Sequence, residues 1–175
     1  MCIRDSLKFI AEEYGWNAAQ LGNLGGILLG IFLIGYGISN VFLSPFIDKV
    51  GAKRVLIISI VSWSLTLFIA ASLGHFYSVL LLSRLLLGLT QGVLFPAANK
   101  VTAFWFPENE RARASSVFLS GGAIGSMITP LILIPIILKK SWKFAFYFAG
   151  LIGILLVPLI AVSYTHLTLP TICSV

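Results

Sequence analysis

Five long apolar stretches, at 18–46, 55–73, 77–104, 114–138 and 144–162, occupy nearly all of this 175-residue chain. Each is long enough to cross a bilayer as a helix, which takes about 20 mainly apolar residues. In hydrocarbon every backbone N–H and C=O must find its partner within the protein, so only helices and closed barrels can span it. These runs are too long and too unbroken for the short alternating segments of a barrel strand. The chain is therefore predicted to be all-α, a polytopic transmembrane helix bundle with the lipid bilayer as its solvent. With 58% hydrophobic and 10% charged residues and a mean hydropathy of +1.01, it departs far from soluble domains, where about 25% of residues are charged. No linker rich in Pro, Ser or charge divides the bundle.

The net charge of +6 sits where membrane topology places it. Lys49, Lys53 and Arg54 flank one short loop, and Lys100, Arg111 and Arg113 flank another two spans later. The positive-inside rule puts both on the inner side. The loop Gly74-His75-Phe76 between them carries no Lys or Arg, whereas Lys139, Lys140 and Lys143 fall outside, so the orientation rests on six basic residues against three. No basic patch interleaved with exposed aromatics is left to suggest nucleic acid. Enzyme chemistry is disfavoured too: the spans hold no paired carboxylates, no metal-ligand cluster and no nucleophile beside a base, and His75 stands alone in its loop. No catalytic residue, metal or cofactor is expected.

One span carries a charge. Leu82 through Lys100 reads as an apolar helix in which Arg84, Gly88, Gln91, Gly92, Phe95 and Asn99 fall within an arc of roughly 100° at helical spacing. A charged side chain near a helix centre costs on the order of 2.5 to 3.5 kcal/mol to insert, which marks Arg84 as a functional residue. Its planar guanidinium matches a carboxylate through two parallel hydrogen bonds and keeps its charge. The alternative is snorkelling, because Arg84 lies roughly 10 Å from the outer end of its span and an arginine stem can reach toward the interface.

Small residues form further faces. Asn23, Gly26, Gly30, Gly37, Asn40 and Ser44 share one side of the first span, and Gly121, Gly122, Gly125 and Thr129 one side of the fourth. Such faces allow close helix approach, either within this bundle or against a partner outside it. Pro130, Pro135 and Pro158 lie inside spans and mark expected kinks.

The two ends break the pattern. Residues 1–6 and 163–175 continue no periodicity and read as non-native ends, expected to be disordered; residues 7–162 form the bundle, opening with a short amphiphilic stretch at 7–20. Both cysteines, Cys2 and Cys173, fall in these ends, so neither supports a disulfide or metal reading.

Two motifs carry a family resemblance. Ser44-Pro45-Phe46-Ile47-Asp48-Lys49-Val50-Gly51-Ala52-Lys53-Arg54 resembles the Gly-x-Leu-Ala-Asp-Arg-x-Gly-Arg-Lys loop of the major facilitator superfamily, with Asp48, Gly51 and Lys53 matching and Ser44 and Ala52 departing. Arg84-x-x-x-Gly88-x-x-x-Gly92-x-x-x-Pro96-Ala97, then Trp105-Phe106-Pro107-x-x-Glu110-Arg111, resembles the fourth helix and following loop of that superfamily's anion:cation symporters. The resemblance implies a partial major-facilitator-like fold in which 7–162 supplies helices two to six of an amino-terminal half. It leaves the family's first helix and its carboxy-terminal half as missing partners.

The resemblance further implies a function: part of a secondary transporter that moves a small organic anion, of the sugar-acid or carboxylate class, by alternating access in the cell membrane. By this reading Arg84 and Tyr36 bind substrate with Gln91 and Asn99 nearby, and Asp48, Lys49, Gly51, Lys53 and Arg54 form the gating loop. Tyr36 has a packing alternative. Where many members carry Glu in helix four this chain has Gln91, which cannot titrate, so the coupling ion, proton or sodium, is left open. Phe42-Leu43-Ser44 replaces the usual Pro-Gly-Gly, with the proline moved to Pro45. Alternatives are a transport-like sensor or receptor, and a uniporter of another substrate class. The 175 residues alone are not expected to transport, since alternating access needs two bundles around the site.

Overall fold

The computed structural model describes residues 2–167, with the backbone alone described for 2–6 and 163–167. Helix α1 is Cys2–Glu13, α2 Ala18–Ile38, α3 Phe46–Val50, α4 Ala52–Leu73, α5 Tyr77–Gly92, α6 Leu94–Trp105, α7 Glu108–Lys139 and α8 Trp142–Leu167; a π-helical turn, Ser39–Leu43, prolongs α2. Among the described residues there is no strand. Within those residues five helical spans are long and apolar enough to cross a membrane: Ala18–Leu43, Ala52–Leu73, Tyr77–Trp105, Glu108–Lys139 and Trp142–Val162. They match the five stretches read from the sequence.

Local chemistry explains the boundaries. Asn17 caps α2: its side chain accepts from the Gln20 N–H at 2.8 Å, and the Gln20 side chain accepts from the Asn17 N–H at 3.1 Å. This capping box satisfies two of the donors a helix start leaves open. Gly51, at φ +91°, is the entire joint between α3 and α4, a left-handed conformation that glycine adopts without steric cost. The later spans are joined by turns at 74–76, 106–107 and 140–141.

Prolines act unevenly. Pro96 lacks an N–H and its ring crowds the carbonyl four residues back, at Gly92; there the third span breaks into α5 and α6 around Val93. Pro45 stands in the same relation to Val41, inside the π-helical turn. By contrast, α7 passes through Pro130 and Pro135, and α8 through Pro158, as uninterrupted helix.

Glycine sets the closest approach. α2 and α5 run parallel, and a Cβ at Gly92 would stand 2.6 Å from both Tyr36 O and Ser39 Cβ, while one at Gly88 would strike the backbone of Phe32 and Tyr36. Ser39 Oγ donates to Leu89 O at 2.6 Å, and Tyr77 OH to Leu24 O at 3.0 Å, fastening the pair at both ends. α4 packs antiparallel on α8 by the same device at Gly150 and Gly153. The small-residue faces read from the sequence are different ones. Gly26, Gly30 and Gly37 on α2, and Gly121, Gly122 and Gly125 on α7, have open space where a Cβ would stand, so they are not used in packing among the described residues.

The apolar core lies toward the outer ends of the spans, where Leu80, Leu133, Ile137, Trp142 and Phe146 meet Ile10 of α1. The amphiphilic stretch at 7–20 is thus the end of α1, the turn with Gly15 at φ +64° and the start of α2. The expectation of disorder at both ends is not met where the backbone is described, since α1 begins at Cys2 and α8 runs to Leu167. Backbone hydrogen bonds are satisfied within a helix whatever its side chains, so lost hydrophobic periodicity is a weak sign of an end. Residues 168–175, including Cys173, lie outside the described residues.

Candidate functional site

Arg84 is held inside the bundle. It is 4% exposed, and its guanidinium carbon lies 5.1 Å from the ring centroid of Phe146 on α8. An aromatic face attracts a cation through its quadrupole, more strongly where water is excluded. At 4% exposure the side chain does not snorkel out to water; it is held within the bundle, against a ring of the outer core.

Tyr36 is half-buried on α2 and its ring packs on Phe32, with centroids 6.1 Å apart at 36°. Its backbone abuts Gly88 and Gly92, so Tyr36 lies on the helix adjoining α5, about a turn nearer the inner side than Arg84. Gln91 is half-buried two turns further along α5. Gly88, one turn past Arg84, and Gly92, next to Gln91, abut the backbone of Tyr36, while the Arg84 guanidinium itself lies against α8.

Asn99 and Phe95 fall elsewhere, and the expected common face breaks at Val93. Phe95 is 43% exposed and meets Phe118 of α7 edge-on at 5.6 Å. Asn99 is exposed on α6, about 22 Å along the helix path from Arg84 at 1.5 Å per residue. A single small solute cannot touch both. An arc calculated at constant helical pitch assumes an unbroken helix, and Pro96 removes that condition.

The inner loop is tied to the third span. Asp48 of α3 forms an ion pair with Lys100 near the end of α6. Lys49 and Arg54 are exposed and Lys53 is half-buried. The partner comes from 52 residues away in the chain. The available signal was positional, since Lys100 lies toward the inner end of a span on the same membrane side.

A second polar knot closes the outer ends and was not anticipated. Glu13, at the end of α1, accepts from Trp142 Nε1 and from Lys143 Nζ, the latter at 2.5 Å. Tyr14 OH donates to Gly74 O at 2.5 Å. Burial pushes the Glu13 carboxyl up. The hydrogen bonds from Lys143 and Trp142, together with the positive charge of Lys143 and His75, outweigh it and hold the group below the usual carboxylate range. Burial and the Glu13 charge raise the phenol of Tyr14.

Comparison with known proteins places this arrangement. Residues 6–171 match the family model described as Major Facilitator Superfamily. A sodium-dependent phosphate transport protein 1, chloroplastic, of Arabidopsis thaliana is 34% identical over 148 residues, covering 82% of this chain and 28% of that protein. The hexuronate transporter of Bacillus subtilis (strain 168) is 33% identical over 147 residues, 84% of this chain and 34% of that one. The human voltage-gated purine nucleotide uniporter SLC17A9 is 29% identical over 157 residues, 85% and 35%. The chain thus spans about a third or less of the length of these curated relatives, all of which are named for transport rather than for catalysis. Five membrane-length helices, an arginine kept within the bundle and a glycine-jointed charged loop agree with the match along nearly the whole sequence, and the chain belongs to the major facilitator superfamily.

Proposed function

We propose that the chain is part of a secondary active transporter that moves a small organic anion, of the sugar-acid or carboxylate class, by alternating access. The observation that carries this reading is the position of Arg84. A guanidinium 4% exposed and flanked by aromatic and apolar side chains is costly to keep in a membrane, and that cost is understandable where it recognises an anion. Relatives named for phosphate, hexuronate and purine nucleotide share negative charge and little else. That common feature suits a fixed cation better than a shaped neutral pocket.

Roles follow from placement. Arg84 would bind the carboxylate through its fork of donors, Tyr36 would offer its hydroxyl from α2, and Gln91 would hydrogen-bond further inward on α5. Asn99 would serve the inner path rather than the same bound solute. The loop of Asp48, Lys49, Gly51, Lys53 and Arg54 would gate the inner side, with the Asp48–Lys100 ion pair as its fastening. Because glutamine cannot titrate, coupling to a proton or sodium would act through another group. We assign the protein to the cell membrane, with basic residues flanking its two inner loops.

Transport and sensing separate in one experiment. The full-length parent in liposomes loaded with unlabelled glucuronate should accumulate labelled glucuronate by counterflow, and carboxylates should compete better than neutral sugars. A sensor would bind glucuronate without counterflow. Competition by neutral sugars equal to that by sugar acids would remove the anion reading.

A further inference from the structure

A pocket at the inner end of the bundle is lined by Gly51 and Lys53 on one side and by Lys100, Phe104 and Trp105 on the other. At about 480 Å³ it falls within the roughly 300–1,000 Å³ typical of small-molecule sites. Its floor is the glycine joint between α3 and α4. One wall is the start of α4 and the other the second half of α6. Both elements stand at the ends of membrane spans, which begin at Ala52 and finish at Trp105, so the pocket opens at the level where headgroups meet hydrocarbon.

Its chemistry divides the same way. Two ammonium groups, Lys53 and Lys100, stand beside two aromatic rings that meet edge to face at 6.5 Å. Phe104 is 80% exposed, a position suited to acyl chains and poorly suited to water. Aromatic rings concentrate at this depth, and basic pockets between spans on the inner side are suited to acidic headgroups. Lys49 and Arg54, exposed along the same loop, add positive potential. Asp48 opposes it and pairs with Lys100, yet an ammonium carries three donors and one carboxylate does not exhaust them.

We propose that this pocket binds an anionic phospholipid of the inner leaflet, its phosphate held by Lys53 and Lys100 and its acyl chain lying on Phe104 and Trp105. The site is separate from Arg84 and does not depend on the transport reading. Occupancy would also bear on the inner loop, because the phosphate and Asp48 share Lys100.

The test uses the full chain in phosphatidylcholine vesicles containing a minor fraction of brominated phosphatidylglycerol or, in parallel, brominated phosphatidylcholine. Bromine quenches nearby tryptophan, and subtracting the signal of Trp105→Phe isolates Trp105. Stronger quenching by the phosphatidylglycerol is expected, a preference that Lys53→Gln and Lys100→Gln each reduce, by roughly fivefold per lysine at low salt, and that Lys53→Arg retains. Equal quenching by the two lipids would overturn the proposal, as would a preference that survives both glutamine variants. Loss of the preference on adding millimolar inorganic phosphate would identify a free-phosphate site and overturn it as well. If Lys100→Gln unfolds through loss of Asp48, Lys53→Gln decides; if both unfold, the comparison of the two lipids on the unmodified chain decides.

Discussion

The guanidinium of Arg84 on α5 lies over the ring of Phe146 on α8, 5.1 Å from its centroid. This contact joins the helix that carries the candidate site to the helix that closes the outer core, and it keeps the charge within the bundle. Phe146 itself is fully buried, so the cation sits against a ring fixed in place by its surroundings. Replacing Phe146 by Leu keeps apolar bulk and removes the quadrupole. Beyond any packing cost, the change should lower stability by about 0.5–2 kcal/mol, read as a shift in a denaturant titration followed by circular dichroism. Phe146→Trp should retain the electrostatic part if the larger ring fits. A Leu variant as stable as the parent would show that the ring does not hold the arginine.

The α2–α5 contact predicts a sharp difference between glycines. Gly92→Val inserts bulk 2.6 Å from the Tyr36 carbonyl and should destabilise the bundle by about 1–3 kcal/mol or more. Gly26→Ala, which meets open space inside a helix, should leave the thermal midpoint of the chain in detergent unchanged or raise it slightly. Equal effects at both positions would contradict the packing described here.

Acid should loosen the outer knot. The Glu13 carboxyl is held below its ordinary value in the folded state, so its contribution is fully present above the unfolded value of about 4.3. That contribution is lost as pH falls through the lower folded value. The Trp142 fluorescence of the intact chain should therefore change on acidification below about pH 4.3, and Glu13→Gln should remove that step. The effect on global stability should be small, because the carboxylate is 41% exposed and its pair with Lys143 is screened.

The Asp48–Lys100 pair should matter more to geometry than to stability. Its side chains are 72% and 42% exposed, and exposed pairs contribute about 0.2–1 kcal/mol. Asp48→Asn should scarcely change the melting midpoint. Cysteine cross-linking between the inner loop and the end of α6 should become less efficient, and the exchange Asp48→Lys with Lys100→Asp should restore it. Unchanged cross-linking in the single variant would remove the fastening role.

Much of the architecture is legible in the sequence for a definite reason. Hydrocarbon accepts only backbone that satisfies itself, so apolar length alone predicts the five spans and Gly51 locates a joint that needs a positive φ. Tertiary selection is harder to read. Gly26, Gly30 and Gly37 look the same as Gly35 or Gly88 in the sequence, yet only the latter two meet a neighbouring backbone, because which side of a helix is covered depends on elements distant in the chain. The site shows the same division. The burial of Arg84 within the bundle follows from the cost of charge in lipid, whereas the separation of Asn99 follows from the helix break before Pro96, which a uniform helical arc omits. Glu13 was missed because its partners, Trp142 and Lys143, lie far along the chain.

Arg84 is proposed as the anion's anchor, and the most direct measurement compares glucuronate uptake by the full-length parent with that of its Arg84→Lys variant in proteoliposomes. Lysine preserves the charge and loses the planar fork. The uptake affinity of the variant should fall by about tenfold or more, the scale of one charge-assisted hydrogen bond of about 1.5–3 kcal/mol, with helix content and insertion unchanged. Uptake with unaltered affinity and rate in the lysine variant would contradict the assignment of Arg84 to the substrate site.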